Sequence, residues 1–252
     1  MIEVKNIEKS FAGIKILKGV STVFETGKTN LIIGQSGSGK TVLLKTLLGI
    51  HTPDSGAIEF DGRVYSELDA DEKRELRTEI GMVFQGSALF DSMTVEENIG
   101  FPLKMFTNKS VKEIKERVDF VIDRVHLVNA HHKRPSEISG GMQKRVAIAR
   151  AIVNNPKYLF CDEPNSGLDP KTAIVIDNLI QEITQEYNIT TVINTHDMNS
   201  IMETGANIIL INKGHKGWEG SKEGIFTDDN QALNDFVFAS ELYKKVKLAS
   251  QK

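Results

Sequence analysis

Cysteine, tryptophan and proline are scarce in this chain, with one, one and six copies in 252 residues. A single thiol, Cys161, cannot close an internal disulfide, which fits a reducing compartment. Its place at the end of Tyr158-Leu159-Phe160 reads as a small buried hydrophobe rather than a reactive group. Long apolar runs are also lacking. The longest, such as Ile208-Ile209-Leu210-Ile211, are strand-sized, far short of the roughly 20 residues that a membrane helix needs. The first residues, Met1-Ile2-Glu3-Val4-Lys5, do not set a basic stretch ahead of an apolar core. The expectation is therefore a cytoplasmic chain without a secretory signal. Neither charge sign dominates: 31 basic against 34 acidic side chains leave a net charge of -3, so there is no global electrostatic case for nucleic acid as partner. What is present in quantity is ordinary globular material, 40% hydrophobic and 26% charged, enough to bury a sizeable core.

Along the chain, strand-like runs at 2–4, 15–17, 21–24, 30–33 and 57–60 predict a β-rich beginning, the last ending in the turn Asp61-Gly62. Leu43, Leu44, Leu47 and Leu48 recur at helical spacing over 40–50. Between about 93 and 155 the pattern turns helical. Ser110 and Glu113 form a capping box there, ahead of Ile114, Val118, Val121, Ile122 and Val125 on one face. After Pro156 come a strand at 158–161 and a helix opened by Pro170 with Ala173, Ile176, Leu179, Ile180 and Ile183 inward. Strands follow at 191–194 and 208–211. Strands alternating with helices imply a mainly parallel, two-faced α/β sheet. The predicted division is a core from about 1–92 and 156–228, a helical subdomain at about 93–155 and a helical tail at about 229–252. That tail repeats Leu233, Phe236, Val237, Leu242, Tyr243 and Val246.

Gly34-Gln35-Ser36-Gly37-Ser38-Gly39-Lys40-Thr41 fits the phosphate-loop pattern, in which glycines let consecutive backbone N–H groups turn around phosphates. Lys40 would reach the β- and γ-phosphates of ATP and Thr41 would offer a hydroxyl to Mg2+. The following helix would present its positive end. Asp162 and Glu163 end a strand, where such an enzyme keeps one carboxylate for Mg2+ and another to polarise water. Ser139-Gly140-Gly141-Met142-Gln143 precedes a helix carrying Val146, Ala149, Ile152 and Val153. Ser139 can cap that helix and leave bare N–H groups at a second anion site.

Two anion sites and a carboxylate pair, in this order and spacing, resemble an ABC ATPase. The resemblance implies an α/β P-loop NTPase fold with a mainly parallel RecA-like core sheet, an N-terminal antiparallel β-subdomain and an inserted helical subdomain. It implies a homodimer in which each signature, Ser139 to Gln143, closes on the other subunit's ATP. It also gives roles to single residues. Gln85, after the strand-like Met82-Val83-Phe84, would sense Mg2+ and water; Ser166-Gly167-Leu168-Asp169 would be the dimer loop; His196 would be the switch histidine; Phe11 would stack on adenine. Met142 departs from the family's usual glutamine but leaves the backbone N–H groups in place.

Residues 84–95, Phe-Gln-Gly-Ser-Ala-Leu-Phe-Asp-Ser-Met-Thr-Val, with Asn98, Pro102, Leu103 and Met142, resemble the ATPases of Mla and Mce lipid-transport systems. That implies an integral-membrane permease, a periplasmic Mce-type lipid-binding protein, a small regulatory subunit and phospholipid as cargo. Amino-acid import, lipoprotein release and a non-transport assembly role stay open beside it. His131 and His132 read as a solvated loop, because no Cys or further His stands at ligand spacing. Lys244, Lys245, Lys247 and Lys252 read as solvent-facing.

Overall fold

The computed structural model describes residues 1–238. The tail positions Leu242, Tyr243, Val246, Lys244, Lys245, Lys247 and Lys252 lie outside them. In chain order the elements are β1 (Ile2–Phe11), β2 (Ile14–Phe24), β3 (Thr29–Ile33), α1 (Lys40–Leu47), β4 (Ser55–Phe60), β5 (Arg63–Val64), α2 (Ala70–Thr78) and β6 (Ile80–Val83). There follow α3 (Val95–Phe106), α4 (Val111–Arg124), α5 (Gly140–Ile152), β7 (Tyr158–Asp162) and α6 (Pro170–Glu186). The last are β8 (Thr190–Asn194), α7 (Met198–Thr204), β9 (Asn207–Asn212), β10 (His215–Gly220) and α8 (Gln231–Val237). Among the described residues the chain forms two compact units, 1–68 with 192–238, and Asp69–Thr191.

In the first unit, β1 and β2 form a hairpin turned by Ala12 and Gly13, both at positive φ, as a two-residue loop between right-twisted strands requires. β4 pairs antiparallel with the other edge of β1 and β5 with β4, so the sheet order is β2-β1-β4-β5. The runs at 15–17 and 21–24 belong to one strand. Buried Leu17 is followed by buried Val20, a break in the two-residue period that makes one strand read as two. β3 is buried along its whole length and runs parallel to β9, which pairs antiparallel with β10. A strand buried on both faces is what a parallel sheet covered by helices produces.

In the second unit, β6 and β7 run parallel. Helices α3 and α4 each start in a capping box, Thr94 with Glu97 and Ser110 with Glu113. Each box satisfies two backbone N–H groups that the helix itself cannot. The apolar faces read from the sequence are buried. Val118, Val121, Ile122 and Val125 are at most 4% exposed, and Ala173, Ile176, Leu179, Ile180 and Ile183 of α6 at most 8%. Ile114 is half-buried. Helix α2 has no such stripe, Leu76 being its one buried residue, and periodicity does not foresee it. Among the described residues no helix is long and apolar enough to cross a membrane.

Helix α5 lies on β6 at backbone distance. A Cβ on Gly81 would collide with the Ala151 carbonyl oxygen, so this position has no room for a side chain. The far end of α5 is held by Arg117, whose Nε donates to the Val153 carbonyl at 2.9 Å and Nη2 to that of Ile152 at 3.1 Å. The close approach yields a prediction. Gly81→Ala should lower unfolding free energy by about 1–3 kcal/mol, the usual scale of overpacking, measured by urea titration.

Candidate functional site

The first unit holds the phosphate loop. β3 ends at Ile33, α1 begins at Lys40, and Gly34, Gly37 and Gly39 between them all have positive φ. Gly34 is the most constrained. Its φ is 145°, and a Cβ there would strike the Ile211 carbonyl of β9 and the Ser38 hydroxyl. The N-cap of α1 is Gly39, which makes no side-chain cap, so the N–H groups of the first turn keep their partial positive charge. Lys40 is 7% exposed and folds back over the loop, donating to the carbonyls of Gly34 at 2.8 Å and Gln35 at 3.1 Å. The Ser38 hydroxyl is buried with no hydrogen-bond partner. A bare helix start, an ammonium folded over the loop and an unsatisfied buried hydroxyl make a set suited to phosphate oxygens.

Thr41 stands exposed at the mouth of this loop, its hydroxyl accepting from Asn194 Nδ2 at 3.3 Å. His196 follows β8, where the backbone is tied by the Thr195 N–H donating to the Ile32 carbonyl at 3.1 Å. Its ring is exposed. Phe11 is 40% exposed at the tip of the hairpin, edge-on to His51 with ring centroids 5.1 Å apart.

The second unit gathers the carboxylates. β7 delivers Asp162 and Glu163 side by side, both half-buried, and Glu163 has a φ of 47°. A non-glycine residue in that region is strained. Gln85, two residues beyond β6, donates from Nε2 to Glu163 Oε2 at 3.2 Å and to Ser166 Oγ at 3.4 Å. The loop past Glu163 is pinned by Asn165, whose Nδ2 donates to the buried Asp177 carboxylate at 3.2 Å. Gly167 and Leu168 lead to Asp169, which caps α6 through the Thr172 N–H at 3.0 Å. Cys161 is fully buried. Burial, with the charges of Asp177 and Asp162, raises its thiol pKa far above the ordinary range, so no reactive thiolate forms. The signature is ordered by its own helix. Ser139 Oγ accepts from the Met142 N–H at 3.3 Å, Gly140 and Gly141 open the first turn, and Gln143 donates to the Pro135 carbonyl at 2.9 Å.

The model of the ABC transporter family matches residues 17–166, more than half of the chain. The chain belongs to the ABC transporter family. As an ABC ATPase cassette it binds and hydrolyses ATP. It is 38% identical over 236 residues to a probable ribonucleotide transport ATP-binding protein, mkl, of Mycobacterium leprae, covering 94% of this chain and 68% of the relative. It is 37% identical to the methionine import ATP-binding protein MetN of Clostridium acetobutylicum, covering 96% of this chain and 75% of that protein. Among solved structures, dimeric MJ0796, a bacterial ABC transporter cassette, superposes with a TM-score of 0.80 at 33% identity, covering 88% of this chain and 99% of that one. A dimeric post-hydrolysis state of MJ0796 bound to ADP and Pi matches with a TM-score of 0.79.

Several side chains of this ABC cassette reach the site residues although nothing in the sequence singles them out. Asn194 meets Thr41, His51 meets Phe11, and Lys144 and Arg150 of α5 donate to the loop that carries Gln85. No short motif marks them, because their partners are ring edges, hydroxyls and backbone carbonyls brought close by the fold. The geometry of Gly34 gives a test. Gly34→Ala should weaken ATP binding at least about tenfold, a cost of roughly 1.4 kcal/mol, while the α1 helix persists, measured by fluorescent-nucleotide titration alongside circular dichroism.

Proposed function

We propose that this chain is the ATP-hydrolysing subunit of a phospholipid transporter, working as a homodimer on the cytoplasmic face of a membrane beneath a separate permease. The observation that carries the catalytic half is the Gln85 Nε2 to Glu163 Oε2 hydrogen bond of 3.2 Å. It joins the carboxylate suited to be the base to the loop suited to sense the partner. Lys40 and the N–H groups of residues 34–41 would bind the β- and γ-phosphates, with Phe11 under the adenine. Glu163, set by Gln85 and His196, would accept a proton from water as that water's oxygen bonds to the γ-phosphorus and the bond to the ADP oxygen breaks.

The donors fit Mg2+, which keeps few protein ligands and prefers oxygen. By their chemistry Thr41 Oγ1, Gln85 and Asp162 would offer a hydroxyl, an amide oxygen and a carboxylate. The ion would supply charge neutralisation at the phosphates. Ser139, Gly140, Gly141, Met142 and Gln143 would complete the γ-phosphate cage across the dimer, with Ser166 to Asp169 at its seam. The dimeric MJ0796 cassette supports that arrangement.

Support for the permease comes from a groove of about 510 Å³ beside the Gln85 loop, lined by Phe84, Phe90, Phe101, Pro102 and Phe106 with Arg150 at its rim. Phe106 is 58% exposed, and an aromatic groove of this kind suits a short amphipathic helix. The cargo rests on the resemblance of residues 84–95, Asn98, Pro102, Leu103 and Met142 to Mla and Mce ATPases. A periplasmic Mce-type protein and a small regulatory subunit would complete such a complex. The MetN relative favours a second reading, amino-acid import.

Two measurements check these readings. Glu163→Gln should slow turnover at least about 100-fold, the lower scale of general-base help, while ATP still binds; near-normal turnover would remove Glu163 from the role. Lipid mass spectrometry on the membrane complex that copurifies with the chain should show phospholipid enriched over a detergent-matched control. A permease without enriched lipid would put import first.

A further inference from the structure

The loop after β6 follows a course that its own residues resist. Ser87 has a φ of 61° and Ala88 of 46°, two successive non-glycine residues in the left-handed region, which L-residues adopt at a cost. A turn bond from the Ser87 N–H to the Phe84 carbonyl at 2.9 Å closes the start of the bend, but it leaves the carbonyls of the two left-handed residues to be held from outside.

Two cations of α5 hold it. Lys144, 5% exposed, donates its Nζ to the Gln85 carbonyl. Arg150 donates Nη1 to the Ala88 carbonyl at 2.7 Å and Nη2 to the Ser87 carbonyl at 2.7 Å. Three carbonyls within four residues are thus bonded by one helix, and Gly81 lets that helix lie against the strand from which the loop departs. Ser87 is 3% exposed, so the charge-assisted bond to its carbonyl is partly sheltered from water. Burial lowers the pKa of the Lys144 ammonium, and the nearby Glu163 carboxylate opposes that shift.

We propose that Lys144 and Arg150 are positioning residues for hydrolysis, fixing the bent loop so that the Gln85 amide stays on Glu163. The proposal rests on the roles given to Gln85 and Glu163 above. Arg150 also edges the aromatic groove, so an occupant of the groove would press on the same cation that shapes the loop.

The test uses the full chain without a permease. Arg150→Met keeps the apolar stem of the side chain and removes the guanidinium with both donors. Its kcat for ATP should fall roughly tenfold or more, as when a catalytic group is misplaced, with KM within about twofold because the phosphate loop is untouched. Amide hydrogen exchange over residues 84–90 should quicken while that of α5 holds. Arg150→Lys should recover part of both changes. Unchanged exchange in Arg150→Met, or a loosened loop with normal kcat, overturns the proposal. If Arg150→Met does not fold, Lys144→Gln supplies the same two readouts, and a normal value of either one overturns the proposal equally. Normal turnover in Glu163→Gln would defeat the underlying role assignment instead, and the exchange data would still decide whether the two cations shape the loop.

Discussion

Helix α5 meets β6 where residue 81 has no side chain, and the course of the loop after β6 depends on that backbone contact. Once the helix lies that close, its three basic side chains have little to do but find carbonyls. Lys144 finds Gln85, Arg145 finds Val125 at 2.6 Å, and Arg150 finds Ser87 and Ala88. Lys144 and Arg150 pair acceptors in the loop after β6 and Arg145 pairs one at the C-cap of α4, which matters more than an ion pair on the surface. The same helix carries the signature on its first turn and is closed at its last by Arg117. One helix therefore ties the Ser139-capped turn to the loop that carries Gln85.

Much of this is legible in the sequence where a motif fixes backbone geometry. The glycine spacing from Gly34 to Gly39 dictates a nest whatever surrounds it, and the loop forms between β3 and α1 as expected. The Ser110 and Glu113 box, the Pro170 helix start and the Ser139 cap are local rules and appear as local structure. The aliphatic stripe of α6 is legible for the same reason, since a period of 3.6 survives any tertiary context.

What stays hidden depends on neighbours. α2 has a capping box of its own, Asp69 with Glu72, but a single buried residue, so no stripe announces it. β10 contains Gly217 and Gly220 among polar residues and is a strand because β9 offers it an edge. Lys144 and Arg150 belong to no motif, and only the folded loop turns their partners, the carbonyls of residues 85, 87 and 88, toward them. The left-handed turn at Glu163 is of the same kind, a conformation imposed on a residue whose type argues against it.

The fold of Lys40 onto the Gly34 and Gln35 carbonyls bears on kinetics as much as on affinity. An ammonium that already has two acceptors need not be stripped of a full water shell when triphosphate arrives, nor must it be rehydrated when product leaves. Arrival and departure become an exchange of one set of acceptors for another. Such a swap makes the desolvation of Lys40 a smaller part of the cost of filling the loop.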